Sequence, residues 1–162
     1  MSYRAIRGTR DAAVMKPHYD DTITHPLTSD ALIEERVTAL VGRACRRQIW
    51  FLFVDRQNLQ LPLIIPVSDP PSWPDATVSQ LVDAIFRSVE DLDAQAVVVV
   101  LERYADATFT GADKAWARAL ETSFDATGLP MRAVLVSHRD GVRWLASDDY
   151  RFDGAGRAEI GG

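Results

Sequence analysis

The segment VVVVLERYADATFTGAD, residues 97–113, decides the fold. Together with Ala96, the run through Leu101 has no polar alternation. That is the pattern of a central strand covered on both faces, where no side chain reaches water. The run stops at Glu102, and Thr110 followed by Asp113 has capping-box spacing, so a helix is expected to open there. Trp116, Leu120 and Phe124 share one face of that helix, and Gly128 with Pro130 stops it.

Upstream of the valines, Val78, Leu81, Val82, Ile85, Phe86, Val89 and Leu92 keep helical spacing along one face. A strand entered through a crossover helix favours parallel pairing. Earlier still, IWFLFV (49–54), the turn DRQN and LQLPLIIPV (59–67) read as an antiparallel hairpin. Pro62 and Pro66 cannot donate to a ladder, which sends the second strand to an edge. SDPPSWPD (68–75), with its PxxP at Pro71 and Pro74, reads as a stiff connector. Ser29 caps a first helix over roughly 30–46, on which Leu32, Ile33, Val37, Leu40, Val41 and Ala44 align. At the other end, MRAVLVS (131–137), the turn HRDG and VRWLA (142–146) form a closing hairpin. The expected class is α/β, three-layer, a mixed five-stranded sheet in the order α-β-β-α-β-α-β-β. One domain over 28–147 is expected, between an N-terminal arm (1–27) and a C-terminal tail (148–162), both flexible.

Composition narrows the function. At 162 residues and 47% apolar, one core is expected, and a formal charge of -5 argues against nucleic acid and anionic membranes. The apolar runs are too short to cross a bilayer, and no secretory segment is visible. Cys45 is the only cysteine, so no intramolecular disulfide can form; it is expected as buried filler on the first helix, in a cytoplasmic protein.

RQIWFLFVDRQNLQL, the valine strand, FTGADKAWARAL and LVSHRDGVRWLAS resemble the RadC-like branch of the JAB (MPN) metallopeptidase family, over about Thr28 to Ala146. FTGADKAWARAL is similar to that family's PSxxDxxxTxxL segment. The resemblance implies cytidine-deaminase-like layers and a zinc site built from an HxH pair, an aspartate opening the next helix and a glutamate that activates the bound water. In this chain the HxH positions hold Val100 and Glu102, the glutamate position holds Arg47 or Gln48, and only Asp113 matches in kind. What the resemblance implies is therefore a degenerate, pseudoenzyme site. A looser similarity links the VVVV strand, the WARAL helix and the GxRW hairpin to uncharacterised actinobacterial domains.

The candidate ligand or partner site consists of Arg47, Glu102, Arg103, Asp106 and Asp113. Carboxylates at strand ends beside helix starts can hold Mg²⁺ or Mn²⁺, so Glu102, Asp106 and Asp113 are weighed as a metal set. Against that, acids at a helix N-terminus are stabilised by its unpaired amides alone. Arg43, Arg46 and Arg47 are expected to end the first helix, where cations offset its dipole. In the family-like placement Arg47 would face Glu102 and replace the lost ion. His18, His25 and His138 do not cluster, and Ser137, His138 and Asp140 are too close in sequence for a triad. No GxGxxG, GxxxxGK[ST] or GxSxG occurs, so no cofactor is expected. Trp73, Trp116 and Trp144 are expected to be packing residues; exposed together, they would mark a partner surface. The leading expectation is a non-catalytic binding or scaffolding domain with a protein partner, and a homodimer through an edge strand is kept open. The alternatives are a divergent metal-dependent hydrolase using Glu102, Asp106 and Asp113, and a small-ligand or nucleotide-binding domain.

Overall fold

The structure is a computed structural model and describes residues 25–151. The elements are α1 (Asp30–Leu40), β1 (Gln48–Val54), β2 (Gln60–Ser68), α2 (Val78–Val89) with a 3-10 turn (Glu90–Leu92), β3 (Ala96–Glu102), α3 (Gly111–Thr127), β4 (Met131–His138) and β5 (Gly141–Leu145). They form one mixed sheet of five strands in the order β2-β1-β3-β4-β5. The valine strand therefore lies at the middle, as its unbroken apolar run requires.

Side-chain parity along β3 divides the core in two. Val97, Val99 and Leu101 pack with α2 and α3, whereas Val98 and Val100 pack with Ile33 and Val37 of α1. Successive strand residues point to opposite faces, so a strand buried on both sides must be apolar at every position. Val97, Val99 and Val100 are fully buried, and each contributes on the order of 1.5–3 kcal/mol relative to an exposed side chain. The three layers are thus α1, the sheet, and the α2/α3 pair.

The hairpin β1–β2 is antiparallel, and β2 is an edge, as its prolines demand. Pro66 pairs with Trp50, and Pro62 falls where the register shifts between the Leu52 and Val54 pairings. β3 is antiparallel to β1 and parallel to β4. The helix before β3 carries the chain past β1, so the parallel partner is the strand that follows α3 rather than the one that precedes α2. The closing hairpin β4–β5 is antiparallel, and β5 forms the second edge.

The first helix is shorter than its periodicity suggests. It ends at Leu40 with Val41 as C-cap, and Gly42 takes φ +67, a conformation glycine adopts without steric cost. Arg43, Arg46 and Arg47 consequently lie in the loop before β1, not in the last helical turn, and Cys45 is exposed instead of filling the core. At the other end, Thr110 and Asp113 close the expected capping box and Gly128 takes the left-handed C-cap of α3. Residues 147–151 are helical and Tyr150 is buried against the α2/α3 core, so ordered chain continues through the start of the segment expected as tail. The remainder of that segment, and residues 1–24 of the arm, lie outside the described residues. No helix among the described residues is long and apolar enough to cross a membrane.

Candidate functional site: a closed hub at the end of the central strand

Glu102 is the last residue of β3 and is 4% exposed. Its carboxylate accepts four hydrogen bonds: Oε1 from Gln48 Nε2 and Trp50 Nε1, both at 2.8 Å, and Oε2 from Cys45 N at 2.9 Å and Arg46 N at 3.2 Å. A carboxylate offers about four acceptor directions, so this one is saturated. The register explains the set: Gln48 pairs directly with Glu102 across the β1–β3 ladder, and Trp50 lies two residues further on, on the same face. Burial alone would push the Glu102 carboxyl up, but the bonds from Cys45, Trp50, Gln48 and Arg46 outweigh it and hold the group below its ordinary value. A depressed folded-state pKa gives stability that is present above the unfolded value and lost as pH falls through the folded one. Unfolding free energy is therefore expected to be flat near neutrality and to fall below about pH 4.3, the unfolded glutamate value. Glu102→Gln should flatten that acid limb in a denaturant titration against pH. An unchanged limb would show that Glu102 does not titrate differently in the two states.

The next residue points the other way. Arg103 donates Nε to Asp113 Oδ1 at 3.0 Å and Nη2 to Oδ2 at 2.8 Å, a bidentate pair whose side chains are 11% and 6% exposed. Its Nη1 donates to the Asp106 carbonyl and Nη2 also to the Thr108 carbonyl, each at 2.8 Å. Asp113 further accepts from Thr110 N at 2.9 Å as its half of the capping box. Asp106 turns outward and accepts Thr108 N at 3.0 Å. One guanidinium thus ties the end of β3, the loop 104–110 and the start of α3 together.

This arrangement corrects two expectations. Glu102 has the parity of Val98 and Val100 and sits on the α1 face, whereas Arg103 and Asp113 are joined at the start of α3 on the opposite face. Glu102 and Asp113 both line the cleft at this end of the sheet but accept from different donors, Asp106 is exposed and does not line it, and no group of three or more His, Cys, Asp or Glu suited to a metal occurs among the described residues. Nor does Arg47 replace an ion beside Glu102. Its guanidinium donates to the Pro70 carbonyl at 3.0 Å and to that of Pro71, and the donors to Glu102 are uncharged amides and an indole. The ion pair at this end of the sheet is Arg103–Asp113.

The neighbouring residues are committed to structure as well. Ser137 donates its hydroxyl to the Gly42 carbonyl, and His138 Nδ1 accepts Asp140 N at 3.2 Å, so these side chains form no relay. Together with Ala44 N donating to the His138 carbonyl at 2.8 Å, they fasten the loop after α1 to the end of β4. A cleft of about 390 Å³ at the hub is lined by Arg47, Glu102, Arg103 and Asp113, with Trp73 and Trp116 among the others. Trp116 is buried and donates Nε1 to the Pro71 and Ser72 carbonyls at 3.2 and 3.3 Å. Trp144 is half-buried against the α1 face. Trp73 departs from the packing expectation: it is 57% exposed and lies across Gly111, where a Cβ would meet the ring at 3.1 Å. Tyr104, on the loop held by Arg103, is 67% exposed.

The fold and this site define a three-layer α/β domain whose strand-end acids are locked into its own framework. A scan against protein-family models found no match, and neither did a search of curated proteins.

Proposed function

We propose that the chain is a non-catalytic binding domain whose cleft at the end of β3 receives a protein partner. The observation that carries this reading is the closure of the hub. Glu102 spends its acceptor capacity on four N–H donors, and Asp113 spends its own on Arg103 and Thr110. General acid–base work or metal ligation requires a group whose lone pairs or proton face a substrate, and these face the protein. What the cleft offers outward is Trp73, a flat amphipathic surface of the kind enriched where partners bind. The order of elements also supports the likeness to a degenerate JAB-like domain, with Val100 and Glu102 at the positions of the lost histidines.

Two measurements test the reading. Metal analysis of the purified protein should find no stoichiometric Zn, Mn or Mg, and EDTA should leave Tm unchanged; a metal lost on Asp113→Ala would overturn it in favour of the hydrolase. Peptides selected from a displayed library on the wild-type protein should lose about tenfold or more in affinity for Trp73→Ala, the scale of a truncated aromatic anchor. Equal binding to the variant would remove the cleft as the docking surface.

A further inference from the structure

The loop 70–73 on the wall of the cleft is clamped from two sides. Arg47 donates Nε to the Pro70 carbonyl at 3.0 Å and Nη2 to that of Pro71, and Trp116 donates Nε1 to the carbonyls of Pro71 and Ser72. Trp73 follows directly and rests its ring edge against Gly111. A surface aromatic fixed in this way loses little conformational freedom when a partner covers it. Four charged side chains line the cleft, and three are spent: Glu102 on four N–H donors, Asp113 and Arg103 on each other and on backbone groups. Arg47 differs. Both of its bonds go to uncharged carbonyls, and among the described residues Nη1 has no acceptor and no carboxylate pairs with it. Asp69 and Asp75 flank the loop in sequence, but neither lines the cleft, and Asp75 accepts Thr77 N at 2.9 Å.

We propose that the partner docked at this cleft is an acidic protein segment, which sets an Asp or Glu carboxylate on Arg47 and an aromatic side chain on Trp73. The inference rests on the docking role given above and adds the chemistry of what docks. With Nε and Nη2 held by the loop, Nη1 is a positioned donor, and a carboxylate is the acceptor that a guanidinium binds best. Trp73 lies two residues beyond Pro71, a span of about 7 Å, so acid and aromatic are expected within about three positions of each other in the ligand. Glu102 limits the size of the effect. Its filled acceptor directions leave no bond for a ligand, but its buried negative charge offsets part of the attraction between Arg47 and a second carboxylate. The formal charge of -5 gives no bulk attraction to an acidic partner either. The preference is therefore short-range and about fivefold, the upper scale of a partly exposed ion pair.

The test uses the full-length chain and displayed peptides with one fixed aromatic residue and random neighbours. Selected peptides should carry Asp or Glu near the aromatic, and changing that acid to its amide should weaken binding about fivefold in fluorescence anisotropy. On Arg47→Gln, which removes the charge and keeps an N–H for a proline carbonyl, acid and amide peptides should bind alike. Each ratio is taken on one protein, so any loosening of the loop in the variant lowers both affinities and leaves the ratio readable. On the wild type, added NaCl should shrink the acid-to-amide ratio; a ratio indifferent to salt overturns the ion pair without recourse to any variant. Equal ratios on wild type and Arg47→Gln overturn the inference, as does selection of peptides without acids. If those peptides still lose affinity for Trp73→Ala, the docking reading stands without it, whereas peptides indifferent to Trp73→Ala remove the docking reading itself. If amidating the peptide's C-terminus causes the loss and the side-chain change does not, the ligand is a chain end and the assignment to Asp or Glu is overturned.

Discussion

Glu102→Ala is expected to destabilise the fold by about 4 kcal/mol, near the top of the range for a single substitution. The reason lies in the donors left behind. The substitution strands Gln48 Nε2, Trp50 Nε1 and the amides of Cys45 and Arg46 with no acceptor. A hydrogen bond to a charged acceptor is worth roughly 1.5–3 kcal/mol net, and the four are not additive, because water enters as the loop loosens. Glu102→Gln keeps one acceptor oxygen but turns an NH₂ toward other N–H donors, so a loss of about 2–3 kcal/mol is expected. Urea unfolding measures both. Amide exchange should locate the damage in residues 42–47, the loop that the carboxylate holds, before β1 opens. A loss below about 1 kcal/mol for the alanine variant would show that the four bonds do not hold the loop and would reopen Glu102 as a functional acid.

That expectation sets out what the sequence could carry. The central position of Ala96–Glu102 was legible because burial on both faces leaves a direct signature, an unbroken apolar run. The α3 capping box and its Gly128 stop were legible because both are local. The separation of Glu102 from Asp113 was legible in principle too. Glu102 continues the parity of Val98 and Val100, and Arg103 that of Leu101, so neighbouring charges at a strand end diverge across the sheet. The rule that ligands gather at strand ends beside helix starts places both acids at one cleft, which they line, without making them share a ligand. The partners of Glu102 were not legible, because Gln48 and Trp50 reach it only through the β1–β3 register, set by tertiary assembly. The end of α1 was misread for another reason. Ala44 continues the apolar period, and the period outweighed Gly42, whose positive φ ends the helix before the arginines. Trp73 could not be separated from Trp116 by residue type; only the fold buries one and leaves the other across Gly111.

Arg103→Ala is expected to cost about 3–5 kcal/mol, because it leaves the Asp113 carboxylate nearly buried without its counter-ion. The same change frees the Asp106 and Thr108 carbonyls, so the loop 104–110 should exchange its amides faster. Asp113→Asn should cost less, about 2–3 kcal/mol, since an amide oxygen still accepts one of the two guanidinium bonds. The informative variant is the double one. Replacing a buried pair by apolar side chains of similar size is often near neutral, so Arg103→Met with Asp113→Leu should recover part of the loss suffered by either single truncation. Recovery will be incomplete because Asp113 also accepts Thr110 N at the start of α3, a capping contact worth about 1 kcal/mol that leucine does not replace. If the double variant falls by the sum of its parts, the pair is not coupled and the loop is held by its own turns. If it recovers stability yet loses peptide binding at the Trp73 cleft, the ion pair is there for the shape of the cleft wall, which Arg103 lines and its bonds keep in place.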